Sequence, residues 1–435
     1  MQSSDPFYRL DNSAILTAAV ANAEGPFVFR VSCSLFETIE IETLSRSMVR
    51  LASRFSFFHV SMGNGVFWQY LNPLSKVPLP EAEGPYPAAP MPYRRGRPLF
   101  RVLAYGRRIA CEFHHAITDG TGAIAYLRAL VCDYCILKGV AVEPEELVRL
   151  GILRTGETPD PEEWQDAYGH YFSRSAPPPD PRPQAFLLPG WRRYEGYRET
   201  VGSVALSDMI AVSRGMGVSL TEFVAAVYLA ALQETYESLP PGPKRRARKF
   251  LAIQIPVNLR KLYPSRTLRN FTLLVGPSLD MRQGHWDFAE IVTRVHHELR
   301  MGLSTKEFAR QLRLHVGGER NFLGRSLFLP LKALMLRRIN ATMGVRTFSG
   351  SVSNLGEITL PGPVAECVEA FGFLPSRSSV ACANMGIISW NGTLLLTIGS
   401  LATDRQFERL FFSRLASLGL EVRVQCNEAF KGDEP

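Results

Sequence analysis

The sequence predicts an α/β protein built from two sandwich domains of similar size. Its 435 residues are about three times the length of an average domain, so more than one core is expected. Hydrophobic residues make up 46% and charged residues 21% of the chain, which is ordinary globular composition and excludes bulk disorder. Strand and helix patterns occur in both halves, and a proline-rich segment separates them. We therefore expect an N-terminal domain at 1–175, a linker at 176–190 and a C-terminal domain at 191–435.

The first half begins with a strand pattern followed by a helix pattern. Residues 27–34 alternate apolar and polar side chains, which is typical of a half-buried strand, and apolar residues recur at helical spacing from 38 to 55. Glycine and asparagine at 63–65 predict the turn of a hairpin. The first half thus predicts a strand at 27–34, a helix at 38–55, a hairpin with its second arm at 66–71, strands at 99–105 and 108–113, and a helix at 120–138.

Proline dominates the segment between the two halves. Residues 155–190 hold eight prolines with acids and glycines among them, a composition that is typical of a linker or surface crossover and not of a core. In the second half a capping box, Ser219 and Glu222, precedes an apolar run. The second half predicts strands at 198–206, 250–256 and 271–277, helices at 219–232 and 288–301, strands at 351–355, 385–390 and 393–398, and a closing helix at 404–418.

The distribution of the net charge of +8 matters more than its size, because a nucleic-acid binder clusters its cations on one face. Basic runs occur at 244–249 and at Arg94, Arg95 and Arg97. They are consistent with solvated loop charge, with attraction for a polyanionic ligand such as a coenzyme with phosphates, or with duplex binding. No aromatic residue is interleaved with the run at 244–249, so we expect no nucleic-acid partner.

Cysteine usage indicates a reducing compartment. The seven cysteines are an odd number in a long chain, which favours free thiols in a cytoplasmic protein over a disulfide framework. Cys132 and Cys135 form a CxxC pair, but no second pair lies at zinc-ribbon spacing. We therefore expect both to be buried thiols of a helix.

No membrane span is expected from the sequence. The longest purely apolar run, at 223–232, has ten residues, whereas a spanning helix needs about 20. Asp5, Arg9 and Asp11 interrupt the N-terminus before the apolar stretch of a signal peptide could form. We expect a monomer in the cytoplasm.

Residues 114–120, HHAITDG, carry the strongest chemical signal of the chain. A histidine at the end of a strand can present an imidazole nitrogen to a pocket, and a pKa near 6.5 lets it accept a proton from a hydroxyl or amine at neutral pH. Asp119, at the mouth of the following helix, could tether the loop or pair with a cation, and Gly120 leaves room for a substrate. A metal site and a polar turn are the alternatives. Further metal ligands are not evident, since His296 and His297 point in different directions from one helix.

These seven residues match the HHxxxDG signature, and the chain resembles the acyltransferase superfamily of chloramphenicol acetyltransferase, peptide-synthetase condensation domains, plant BAHD acyltransferases, polyketide-associated acyltransferases and alcohol acetyltransferases. In that superfamily the motif also lies between a strand and a helix of the first domain. The segment PVNLR at 256–260, Pro264 and Asn270-Phe271 resemble its second-domain region, and SNLG at 353–356 resembles a strand of alcohol acetyltransferase-like members. The DFGWG element of the plant family and synthetase modules are absent, so the resemblance favours a freestanding acetyltransferase-like enzyme.

The resemblance implies two chloramphenicol acetyltransferase-like α/β sandwich domains with the active site in a tunnel at their interface. His115 would be the general base that takes the proton of the acceptor. Asp119 would be structural and would pair with Arg260 across the interface. His114 would be a packed neighbour and not a second base.

The implied reaction moves an acyl group, acetyl above all, from a thioester to a small alcohol or amine. Ser353 and Asn354 are candidates for stabilising the oxyanion, and a purely structural role is the alternative for both. Acyl-CoA is expected as the co-substrate, with no permanently bound cofactor and no metal. Lys244, Arg245 and Arg246 are expected to meet its phosphates.

Two other functions stay open at this stage. The acyl group could be delivered by an acyl carrier protein, as in condensation or polyketide-associated relatives, and basic loops suit an acidic carrier as well as a coenzyme. A non-catalytic binding protein on the same fold is a different class, for which loss of His115 or Gly120 would be the expected sign.

Overall fold

The computed structural model describes residues 7–188, 196–319, 327–378 and 383–427. Its strands are β1 (Tyr8–Arg9), β2 (Val28–Leu35), β3 (Val60–Asn64), β4 (Gln69–Pro73), β5 (Glu81–Ala82), β6 (Phe100–Tyr105), β7 (Arg108–His114), β8 (Arg198–Ala205), β9 (Phe250–Asn258), β10 (Thr272–Val275), β11 (Ser278–Asp280), β12 (Gly350–Glu357), β13 (Val368–Leu374), β14 (Ala383–Trp390), β15 (Thr393–Ser400) and β16 (Arg423–Cys426). Its helices are α1 (Asn12–Val20), α2 (Ile41–Leu51), α3 (Gly120–Leu137), α4 (Pro144–Arg149), α5 (Ala167–His170), α6 (Leu206–Gly215), α7 (Leu220–Glu237), α8 (Pro241–Arg246), α9 (Phe288–Gly302), α10 (Thr305–Glu319), α11 (Leu329–Ile339), α12 (Gly362–Ala365) and α13 (Gln406–Ser417).

The first lobe is built on a five-stranded sheet in the order β13-β2-β7-β6-β5. β2 and β7 pair antiparallel, with Val28 opposite His114, so the histidine pair lies where β7 ends. α3 packs on these two strands and α2 packs on α3. Stacked and edge-to-face rings fill the space between them: Phe55, Phe58, Phe100, Phe113 and Tyr126.

The second lobe is built on a larger sheet in the order β10-β9-β12-β14-β15-β8-β16, with β11 added to β9. α7 packs between α9 and α13 and buries most of its residues. The predicted capping box is confirmed. The Ser219 Oγ accepts from the Glu222 N–H at 3.3 Å, and the Glu222 Oε2 accepts from the Ser219 N–H at 2.6 Å.

One strand from the second half of the chain belongs to the first lobe. β13 pairs antiparallel with β2, with Phe371 opposite Cys33, and it also packs against β14. The sequence analysis assigned no element to residues 368–374. A strand from within the predicted C-terminal domain thus completes the N-terminal sheet.

The expectation that residues 155–190 contribute nothing to a core is wrong. Ala185, Phe186 and Leu188 are buried, and the Phe186 N–H donates to the Phe250 carbonyl at 2.7 Å. The apolar run at 185–188 therefore packs beside the start of β9, although prolines dominate the segment around it. The last two residues of the predicted linker, 189 and 190, lie outside the described residues.

Long apolar helices occur within the cores. Among the described residues, α3 has the length and hydropathy to cross a membrane, and 61% of its apolar window is buried. The pair α6 and α7 would pass the same test only together, and it is bent by 81°. The described cysteines are free thiols, and Cys132 and Cys135 are buried in α3 as the sequence analysis expected.

Candidate active site

A cavity of about 1490 Å³ opens between residues of the two lobes. The first lobe contributes the loop from β7 to α3 and the first turns of α3, and the second lobe contributes β9, β10 and β12. Residues 179–183, α10 and α11 form a further part of its wall. A cavity thus exists where the sequence analysis expected the reaction to occur.

His115 lines this cavity directly after β7 and is half-buried. Its backbone N–H donates to the Phe27 carbonyl at 2.8 Å, and its ring lies 4.5 Å from the Phe29 ring between centroids. The Asn270 side chain and the Thr118 backbone lie beside the imidazole and favour its protonated form. Burial lowers the pKa of His115 below its ordinary value, although the Asp119 carboxylate, the Asn270 side chain and the Thr118 backbone act in the opposite direction. The imidazole is therefore neutral at pH 7 and able to accept a proton.

Asn270 fixes His115 from the second lobe. Its Nδ2 donates to the His115 carbonyl at 2.8 Å and to the Asp11 Oδ2 at 3.1 Å, so the amide holds the backbone of this histidine. Asp11 is fully buried, caps α1 through the Ala14 N–H at 2.7 Å and lies 3.3 Å from Arg269. Burial raises the pKa of the Asp11 carboxyl above its ordinary value.

Asp11 and Arg269 are site residues that the sequence analysis missed. The residues DNS at 11–13 before an apolar stretch are a helix-start signal, and that signal could have found α1. The contact between Asp11 and Asn270 joins residues 259 positions apart, and no local pattern reports such a contact.

Asp119 connects the two lobes. Its carboxylate accepts from the Thr121 N–H at 3.0 Å, which caps α3, and from the Phe271 N–H at 2.9 Å in the second lobe. Arg260 Nη1 lies 2.9 Å from the Asp119 Oδ2, and both side chains are largely buried. Arg260 also donates to the carbonyls of Thr267 and Arg269. The expected contact between Asp119 and Arg260 is present, and it ties the β7–α3 loop to the segment that follows β9.

His114 is buried and has both ring nitrogens engaged. Its Nδ1 accepts from the Ala116 N–H at 2.9 Å, so its Nε2 carries the hydrogen and meets the Tyr93 hydroxyl oxygen at 2.6 Å. Burial, together with the neighbouring His115, lowers the pKa of His114 to about 3. A ring without a free nitrogen matches the expected packed neighbour.

Gly120, Asn354 and Ser353 are the remaining candidate site residues, and they differ in whether their side chains are already hydrogen-bonded within the protein. Gly120 lines the cavity, and a Cβ added there would lie 2.3 Å from a methyl of Leu355. The Asn354 amide is used internally, since its Nδ2 donates to the Thr221 hydroxyl at 3.0 Å and its Oδ1 accepts from the Gly356 N–H at 2.8 Å. The Ser353 side chain also lines the cavity, and within the described part of the chain its hydroxyl makes no hydrogen bond.

Lys244, Arg245 and Arg246 lie on the short helix α8 and do not line the cavity. Lys244 Nζ donates to the Glu237 carbonyl at 3.1 Å. The phosphate contacts expected of these three residues stay a prediction.

Other cations do line the cavity wall. Arg182 and Arg346 belong to it, and the Arg182 guanidinium lies 5.3 Å from the centre of the Phe348 ring. Burial and the nearby Arg346 cation lower the pKa of Arg248, which indicates two like charges close together. In the described residues, no group of three or more His, Cys, Asp or Glu side chains is placed to hold a metal ion.

No known family model and no curated protein sequence matches this chain. Solved structures match it over nearly its whole length. Polyketide synthase associated protein 5 from Mycobacterium tuberculosis has 13% identity and a TM-score of 0.61, covering 96% of this chain and 99% of that one. The first condensation domain of the calcium-dependent antibiotic synthetase has 14% identity and a TM-score of 0.60, with 98% and 100% covered. A wax ester synthase/diacylglycerol acyltransferase from Marinobacter aquaeolei VT8 has 14% identity and a TM-score of 0.52, with 94% and 100% covered.

At these identities the comparisons establish the fold. The chain has the two-lobed α/β architecture shared by condensation domains and chloramphenicol acetyltransferase-like proteins, as the motif at 114–120 predicted.

Proposed function

We propose that this protein transfers an acyl group from a thioester to a hydroxyl or amine, with acyl-CoA as the donor and His115 as the general base. The observation that carries the proposal is a neutral imidazole on the wall of an interlobe cavity, on a residue whose backbone is held by hydrogen bonds to Phe27 and Asn270. A general base must be unprotonated at the working pH and must keep one orientation toward the proton that it takes. His114, the other histidine of the pair, has no free nitrogen for this task.

The proposed reaction moves the acceptor's proton to His115 and then from His115 to the leaving sulfur. The His115 imidazole takes the proton of the acceptor O–H or N–H while the acceptor atom attacks the thioester carbonyl carbon. The carbonyl π electrons move to oxygen and form a tetrahedral oxyanion. When this intermediate collapses, the C–S bond breaks, and the leaving sulfur takes the proton back from the imidazolium. The products are an ester or amide and a free thiol, and the base returns to its neutral form.

The oxyanion needs a hydrogen-bond donor, and Ser353 is the better of the two candidates. Its hydroxyl lines the cavity without a protein partner in the described residues, whereas the Asn354 amide is committed to Thr221 and Gly356. Loss of one such donor costs about 10²–10³ in kcat. Ser353→Ala should therefore lower kcat and leave KM nearly unchanged, and an unaltered kcat would move the donor elsewhere.

Acyl-CoA suits the part of the cavity wall that Arg182 and Arg346 form. Arg248 adds a third cation beside Arg346. Guanidinium groups bind phosphate oxygens through paired hydrogen bonds. A thioester on a carrier protein is the alternative donor, because one of the similar structures is a condensation domain of a synthetase. The chemistry at His115 is the same for both donors.

The test is a donor and acceptor panel with the purified protein. Acetyl-CoA and longer acyl-CoAs are incubated with alcohols and amines, free thiol is read by absorbance, and the acylated product is identified by mass spectrometry. We expect acceptor-dependent thiol release with at least one pair. Release from an acyl-loaded carrier protein alone would reassign the donor. Binding of a thioester without turnover of any donor would favour a non-catalytic binding protein.

A further inference from the structure

We propose that one face of the molecule docks on a lipid bilayer with anionic head groups. This hairpin–helix face consists of residues 66–68, at the tip of the hairpin between β3 and β4, together with Phe328 and helix α11. The proposal does not depend on the proposed reaction, so docking can be tested without a known substrate.

The hairpin–helix face exposes an unusual amount of apolar surface. None of the residues of α11 is buried, although the helix reads LPLKALMLRRI. Its exposed large side chains recur three and four residues apart, which places them on one side of the helix. The exposed apolar residues of the face are Val66, Phe67, Trp68, Phe328, Leu331, Leu334, Met335 and Ile339, with 39–60% of each accessible.

The two parts of the face are joined by hydrogen bonds at the start of α11. The Leu329 N–H donates to the Val66 carbonyl at 2.9 Å, and the Lys332 Nζ donates to the Phe67 carbonyl at 2.8 Å. The aromatic pair at the hairpin tip therefore lies beside the apolar side of the helix. The exposed apolar side chains of the hairpin tip and of α11 therefore form one continuous patch. Continuous apolar patches of this kind are typical of interaction sites.

The charged residues of the face itself have one sign. Residues 327–339 contain no Asp or Glu and carry the cations Lys332, Arg337 and Arg338. Neither the hairpin at 60–73 nor α1 at 12–20, which packs against α11, holds a charged residue. The hairpin, α1 and α11 thus combine an apolar surface with cations and contribute no acidic side chain.

An anionic bilayer is the partner that fits this combination. An amphipathic helix with Lys and Arg beside an apolar side lies in the plane of the head groups, and Trp and Phe favour the same depth. Juxtaposed cations add attraction to anionic lipids, which salt screens. The end of α11 and the residues after it also line the cavity, through Arg337, Asn340 and Ala341. Docking of this face would therefore place that part of the cavity wall close to the lipid.

Vesicle co-sedimentation tests the proposal. The full-length protein is mixed with vesicles of phosphatidylcholine alone, or of phosphatidylcholine with phosphatidylglycerol, at low and high salt. We expect binding to the anionic vesicles that weakens as salt rises, and little binding to the neutral ones. Brominated phosphatidylcholine in the anionic vesicles should quench tryptophan fluorescence in the wild type, and Trp68→Phe should remove most of that quenching.

Matched variants locate the binding surface. Leu331→Ser with Leu334→Ser, and separately Arg338→Gln, should each lower the vesicle partition coefficient, the double variant by about tenfold or more. Ile41→Ser with Val49→Ser is the control, because these side chains of α2 are exposed to a similar degree, 50% and 55%. The control should bind as the wild type does, and thermal melts should match for all four proteins, since only exposed side chains change.

Three results would overturn the proposal. They are absence of sedimentation with anionic vesicles at low salt, equal binding by the Leu331/Leu334 variant and the wild type, and a concentration-dependent dimer that this variant abolishes. The last result would assign the face to a second copy of the chain.

Discussion

The protonation state of His115 decides when this site can act as a base. Burial lowers the pKa of His115 below about 6.5, so the neutral form is dominant at and above neutral pH. For an alcohol acceptor, kcat/KM should be constant above about pH 7 and should fall only on the acid side, where the imidazole becomes protonated. The measurement is a pH profile of thiol release. An acid limb centred at or above pH 7 would contradict the assignment.

Asn270 provides the control for this profile. Its side chain beside the imidazole stabilises the protonated form and so acts to raise the pKa of His115. Asn270→Ala should therefore move the acid limb to lower pH, and kcat should fall because the His115 backbone loses the hydrogen bond to its carbonyl. A variant that loses only stability, with the acid limb unmoved, would show that Asn270 is not a positioning residue.

Single residues also mark the limit of the sequence analysis at the site. His115, Asp119 and Arg260 were predictable because the motif and its second-domain partner segment carry a family pattern. Asp11 was not, since its role comes from a contact with Asn270 in the other lobe. The preference for Ser353 over Asn354 also required coordinates, because it depends on which side chain is already hydrogen-bonded.

Among the elements, α3 has one carboxylate, that of Asp119, which serves both as its helix cap and as the partner of Arg260 from the other lobe. Asp119→Ala removes the cap and leaves Arg260 without its charge partner, and breaking a buried pair costs about 3–5 kcal/mol in the free energy of unfolding. Asp119→Asn keeps an oxygen for the Thr121 N–H and should lose less. Urea unfolding followed by circular dichroism gives these values.

The control for Asp119 is another helix cap without a buried ion pair. Asp287 precedes α9, where its N–H donates to the Glu290 Oε2 at 2.8 Å, and its side chain is largely exposed, so Asp287→Ala should cost no more than about 1 kcal/mol. If Asp119→Ala cost no more than this, the contact with Arg260 would contribute nothing to stability.

At Gly122, in the first turn of α3, the backbone of the first lobe lies close to the backbone of Leu268 in the second lobe. A Cβ at this position would lie 2.2 Å from the Thr118 hydroxyl and 2.3 Å from the Leu268 carbonyl of the second lobe. Gly122→Ala should therefore destabilise the fold by about 1–3 kcal/mol through overpacking. Gly215→Ala, where nothing lies within 4 Å of the added Cβ, should be neutral or slightly stabilising. Equal unfolding midpoints for both variants would rule out a close interlobe contact at Gly122.

Elements with strong local signals were predictable, and elements defined by distant partners were not. The strands at 99–105 and 108–113 and the helix after them match β6, β7 and α3 within a few residues, because alternation and helical spacing are visible in the sequence. β13 escaped notice because its seven residues pair with β2, more than 300 positions away. The burial of Phe186 escaped notice because prolines on both sides outweigh a short apolar run.

At the scale of the whole molecule, the distribution of cations makes a prediction about the donor. If Arg182 and Arg346 on the cavity wall meet the phosphates, Arg182→Gln with Arg346→Gln should raise KM for acyl-CoA by about twofold to tenfold and should flatten its dependence on salt. KM for the acceptor should change little. Initial rates at low and high ionic strength give both constants.

Neutralising Lys244, Arg245 and Arg246 is the comparison, because it removes three positive charges, one more than the cavity variant, from α8, outside the cavity wall. We expect wild-type kinetics from this variant if the cavity arginines carry the interaction. A raised KM for acyl-CoA in the α8 variant alone would instead support the contacts predicted from the sequence.

The central claim is that His115 is the base of an acyl transfer in the interlobe cavity, and one comparison of variants tests it most directly. With a donor and acceptor pair that the wild type turns over, acceptor-dependent thiol release and product formation are measured for His115→Ala and for Tyr93→Phe, which removes the hydroxyl that contacts His114. The account predicts that His115→Ala loses about 10²–10⁴ in rate at an unchanged melting temperature, while Tyr93→Phe stays within a few-fold of the wild type. Near wild-type turnover by folded His115→Ala would contradict it.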